Sequence, residues 1–144
     1  MFALALFLFG TLGSFAELLL VEHTEQLWQL LPLFLMGGGI LALAWTLVGR
    51  SRLGLQAFRG VMVLFVSSGL LGVYLHYRGN VEFELEMYPS MAGLELFWEA
   101  LKGATPTLAP AMMIELGLLG WAFTYRHPRL GREQQDATDT EDGV

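Results

Sequence analysis

No cysteine occurs among the 144 residues, which excludes a disulfide framework, a thiolate metal site and a cysteine nucleophile. Aspartate is confined to Asp136, Asp139 and Asp142, and Lys102 and Asn80 are the single lysine and the single asparagine. A Ser-His-Asp triad therefore has no acid in the body of the chain. Phosphate-loop, His-Glu-x-x-His and dinucleotide fingerprints are also missing, and Gly37-Gly38-Gly39 lies in an apolar run where a phosphate would go unsolvated. Eight basic residues against fourteen acids leave no cationic excess to hold a phosphate backbone, so nucleic acid is set aside as a partner.

Charge of either sign is scarce, at 15% of residues, where a soluble domain carries about a quarter. Apolar residues instead gather in four stretches, roughly 2–21, 27–48, 58–77 and 106–125, each near the ~20 residues a helix needs to cross a bilayer. Unsatisfied backbone is prohibitively costly in lipid, so these read as helices. The expected fold is an all-α integral membrane protein, a four-transmembrane-helix bundle over 1–130, followed by a disordered acidic cytoplasmic tail over 131–144. A soluble bundle would need a polar face on each helix, and Val61–Leu71 offers only Ser67, Ser68 and Gly69.

Arg50, Arg52 and Arg59 between the second and third stretches, and Arg126, Arg129 and Arg132 after the fourth, fall on one side of a four-span layout. The positive-inside rule then places both termini in the cytoplasm of a cell inner membrane. The other side collects Glu22, Glu25, Glu82, Glu84, Glu86, Glu95 and Glu99 against only Arg78 and Lys102. Ser14-Phe15-Ala16 is a small-x-small pattern, but no basic region precedes it and the apolar run resumes at Leu18, so the first helix is expected to stay uncleaved. Trp28, Trp45, Trp98 and Trp121 fall near span ends as interfacial anchors.

The insert at 79–104 alternates Val81, Phe83, Leu85 and Met87 with Glu82, Glu84 and Glu86, the period of a strand. Gly79-Asn80 reads as the turn leading into it, the whole folding as a lid over the outer mouth. After Tyr88-Pro89, Ser90 is placed to cap a short helix with Leu94, Phe97, Trp98 and Leu101 on its apolar face, stopped by Gly103 and suited to the interface. Thr105-Pro106 reads as the start of the last helix. No internal repeat suggests a duplicated transporter.

Glu17 and Glu115 are the acids within spans. Glu115, near mid-depth, is expected to face inward, where with Glu17 it can bind a proton or ligand, or act as protonated helix–helix glue on Ser14, Ser67 or Ser68. His23, His76 and Glu22 at the outer edge are the candidates for a divalent metal, and the two histidines for a haem. His76, Arg78, Asn80 and Glu82 form an outer-face polar cluster in which Arg78 can bridge to a glutamate of the insert. His127 among arginines reads as a flank residue. Gly10, Gly13, Gly69, Gly72, Gly117 and Gly120 suggest close helix contacts, and Pro32 with Gly37–Gly39 allows the second helix to kink or admit a neighbour.

The Ala16-Glu17 step in the first helix of a four-span layout with inside termini resembles the small multidrug resistance transporters. That resemblance implies a carrier in which Glu17 couples drug and proton binding. The chain departs from the pattern in its second acid Glu115, its outer insert and its acidic tail. From the residues themselves, the first expectation is an accessory or scaffolding subunit of a bacterial-type inner-membrane assembly, its partners being the bilayer and other membrane proteins or further copies of itself. A proton-coupled small-molecule carrier using Glu115 and Glu17 comes second, and a haem- or metal-binding protein third.

Overall fold

A computed structural model describes residues 2–22, 27–49 and 51–125. Five helices make up the described chain: α1 Phe2–Leu20, α2 Leu27–Gly49, α3 Arg52–Met87, α4 Gly93–Lys102 and α5 Ala111–Thr124. The first three are each long and apolar enough to cross a membrane. α5 has 14 residues, roughly 21 Å, shorter than the ~30 Å of a hydrocarbon core. Residues 23–26, 50 and 126–144, with His23, Arg50, His127 and the acidic tail, lie outside the described part.

No strand occurs among the described residues, and the strand expected at 81–87 is instead the last two turns of α3. The alternation was short, and its Leu, Glu and Met residues are good helix formers carried on from an established helix. The half-buried or buried residues there are Tyr77, Asn80, Val81 and Glu84, a helical stripe, while Phe83, Leu85 and Met87 are exposed. Asn80 sits inside the helix and makes no turn. Ser51 starts α3, its Oγ accepting from the Gly54 N–H at 3.0 Å.

α4 ends at Gly103 as expected, but it begins after Ala92 with no side-chain cap, so Ser90 does not cap it. Gly93 takes a positive φ of 62°, which glycine adopts without strain. α5 likewise starts five residues later than Thr105-Pro106 suggests. The segment 106–110 forms short turns, with Ala109 N–H donating to the Pro106 carbonyl and Met113 N–H to the Pro110 carbonyl. Pro32 is accommodated within an unbroken α2.

α3 is the spine. Its length of roughly 54 Å lets α2 pack along its first half, while α5, the turns and α4 run antiparallel beside it. Glycines set that packing. A Cβ on Gly117 would lie 2.8 Å from the Met62 carbonyl oxygen, one on Gly69 2.9 Å from the Pro110 carbonyl oxygen, and one on Gly72 2.6 Å from Pro110 Cβ. A Cβ on Gly120 would collide with Met62. Gly39 similarly admits the Phe65 ring into α2, whereas Gly13, Gly37 and Gly38 face open space.

α1 joins this pair mainly through α5, with Gly10 against Leu116. Phe7, Phe58 and Phe65 are fully buried at the centre, Phe7 meeting Phe58 edge-on at 5.5 Å and Phe65 in a tilted contact at 6.1 Å. Phe123 closes the cluster against Phe58 at 6.2 Å. Edge-to-face rings of this kind add specificity where both faces of a helix are apolar.

Candidate functional site

Helical periodicity places Glu115 on α5. The buried face of that helix is Met113, Leu116, Gly117, Gly120 and Thr124. At 100° per residue, Glu115 stands about 200° from both Met113 and Gly117, on the opposite side. It is exposed, between exposed Met112 and Leu118, and its carboxylate makes no hydrogen bond or ion pair with another described residue. The expectation that it faces inward is thus corrected: the inner face belongs to glycines packed so tightly on α3 that no side chain of that size fits. The Gly117-x-x-Gly120 spacing was the signal for this.

Its level along the bundle is also determined. Gly117 lies over Val66 and Ile114 over Gly69, which puts Glu115 beside Ser67 and Ser68, midway along the apolar stretch of α3. Glu17 is exposed as well, in the last turn of α1. With Gly10 opposite Leu116, the two acids are offset by roughly 9 Å along the axis.

The outer polar cluster divides around α3. Arg78 and Glu82, one turn apart and both exposed, form the bridge expected of Arg78, with Nε donating to Oε1 at 2.9 Å. That hydrogen bond and the carboxylate charge raise the Arg78 guanidinium above its ordinary value, just beyond the apolar stretch. Both side chains are solvated, so the pair adds little to stability.

Asn80 faces the other way, 2% exposed. Its Nδ2 shares two hydrogens among three acceptors, the Ala100 carbonyl at 2.9 Å, the Thr105 carbonyl at 2.7 Å and Thr107 Oγ1 at 2.9 Å. Its Oδ1 accepts from the Thr105 N–H and hydroxyl. Thr107 in turn donates to the Ala100 carbonyl at 3.2 Å. Gly103 completes the knot, since a Cβ there would come within 2.5 Å of Asn80 Cγ. One amide thereby pairs the Ala100 and Thr105 carbonyls and the Thr105 N–H, backbone groups at the break between α4 and α5. His76, one turn earlier, contacts the Pro106 carbonyl through Nδ1 at 3.1 Å; a carbonyl only accepts, so Nδ1 carries the proton.

Of the metal candidates, His23 lies outside the described residues. Glu22 is exposed just after α1, in a left-handed conformation with φ of 52°. No group of three or more potential ligands comes together among the described residues. Three of the five glutamates of the insert gather elsewhere, in an open cleft of about 400 Å³ lined by Glu84, Tyr88, Ser90, Met91, Glu95 and Glu99. Lys102 already engages Glu99 at 2.7 Å. The cleft depends on 81–87 being helical, because only in a helix does Glu84 face α4.

Comparison with protein-family models, with curated proteins and with solved structures finds no match to this chain.

Proposed function

We propose that the chain is a four-span integral membrane protein with both termini cytoplasmic, serving as an accessory or scaffolding subunit of a bacterial-type inner-membrane assembly. In this reading α5 and the turns before it form the fourth span, since they run beside α3 over the depth of its apolar stretch. The exposed Leu94, Phe97 and Trp98 of α4 suit the headgroup region, with Phe97 stacked near Tyr77 at 5.9 Å.

The observation that carries the reading is Glu115. A carboxylate at the middle of a span and on the outside of the bundle would face hydrocarbon, at a cost of about 2.5–3.5 kcal/mol on insertion scales. A partner that covers it removes that cost. The carrier alternative calls for Glu17 and Glu115 to share one enclosed site, and their exposure and axial offset give it less support.

The test is to tag the C-terminal tail, solubilise native membranes gently and measure the mass and composition of the released complex. A stoichiometric set of other membrane subunits supports the reading. A lone monomer or homodimer overturns it and puts the carrier first.

A further inference from the structure

Resting on the subunit reading, we infer that the outward face of α5 docks a transmembrane helix of a different protein that carries a lysine or arginine at mid-membrane depth, paired with Glu115. The face is a helical stripe, Ala111, Glu115, Leu118 and Ala122, the last three exposed, with exposed Met112 and Trp121 on its two flanks. Its apolar members suit helix packing in lipid, and its one polar member sets the chemistry of the occupant. A buried carboxylate is accommodated by a charge or a donor brought to it, and a cationic donor provides both.

Charge complementarity points away from a second copy as that occupant. All eight basic residues lie at span ends or beyond them. The nearest in level to Glu115 are Arg59, roughly 12 Å away along the axis, and Arg78, roughly 16 Å away in the other direction. A two-fold dimer in the same membrane orientation would bring this face onto itself and set Glu115 against its own counterpart, two acids with no cation between them. The cation must come from another sequence.

The experiment uses the full chain in its native membrane. A photo-crosslinking residue is placed at Leu118, on the Glu115 face, and separately at Phe34, on an exposed part of α2. The crosslinked peptide is then identified by mass spectrometry. The expected product at Leu118 is a transmembrane segment of another protein with a lysine or arginine within one helical turn of the crosslink. Glu115→Gln should lower its yield about tenfold, equivalent to about 1.4 kcal/mol. Glu115→Arg should abolish it, and exchanging the mapped basic residue for glutamate should restore it. Glu115→Leu, whose side chain meets nothing inside the bundle, serves as a second variant, and an unchanged unfolding midpoint or a higher one certifies its fold.

Crosslinking to a second copy, to lipid alone, or to a segment without a basic residue overturns the inference, as does a yield indifferent to Glu115→Gln. If native complexes are isolated but their subunits crosslink only through Phe34, the α5 inference falls while the subunit reading stands. A lone chain in native membranes removes both.

Discussion

Asn80 and Thr105 are joined twice over: Asn80 Oδ1 accepts from the Thr105 backbone N–H at 3.0 Å and from its hydroxyl at 2.7 Å. Together with the three acceptors on Nδ2, this makes the only asparagine of the chain the tie between the end of α3 and the break before α5. Replacing it with Asp would aim a carboxylate at the Ala100 and Thr105 carbonyls. Asn80→Asp and Asn80→Leu should each destabilise the fold by about 2–4 kcal/mol, as buried groups lose their partners. Reversible detergent unfolding measures the loss, and faster proteolysis within 103–110 should accompany it. A change under about 0.5 kcal/mol would refute the knot.

The α3–α5 contact makes a paired prediction. Gly117→Ala places a methyl against the Met62 carbonyl, a backbone atom that cannot swing aside, and should cost about 1–3 kcal/mol. Gly38→Ala meets nothing and should stabilise α2 by up to about 1 kcal/mol through helix propensity. Equal effects at the two sites would contradict the close approach.

On the proposed four-span reading, Glu115→Leu should raise the stability of the isolated chain in lipid by about 2 kcal/mol, because a carboxylate facing hydrocarbon is costly. The same change should weaken the native assembly. Stability of the isolated chain that falls would place Glu115 inside the bundle after all.

Freedom from cysteine makes single-site labelling straightforward. Leu53→Cys and Thr140→Cys should react with an impermeant maleimide only from the cytoplasmic side, and Ser90→Cys only from the outside. Thr140→Cys labelled on the same side as Ser90→Cys would reduce the spans to three.

Arg78 and Glu82 offer a control. A double-mutant cycle on this exposed pair should return a small coupling that shrinks with salt, and a coupling insensitive to salt would show the pair to be shielded from solvent.

α1 and α2 were legible almost to the residue, because an uninterrupted apolar run admits no other backbone structure in lipid and their ends coincide with the change to polar sequence. The end of α3 was not, since seven alternating residues fit a strand as well as the last turns of a helix, and only the α4 packing against Asn80 and Glu84 separates the two. The direction of Glu115 was misread for a related reason. Polar residues inside a span are expected to turn inward, yet the neighbouring glycines had already committed that face of α5 to α3.

The amino-acid sequence by itself determined that the described chain is helical and apolar, where its first helices run, and which chemistries have no residues to perform them. Hydropathy reports the environment of a whole segment, and that was enough. Which face of each helix turns inward was decided only in three dimensions. In a chain apolar all round, inside and outside differ by fit rather than by polarity, and fit depends on residues distant in sequence: Gly117 against Met62, Gly10 against Leu116, Asn80 against Thr105.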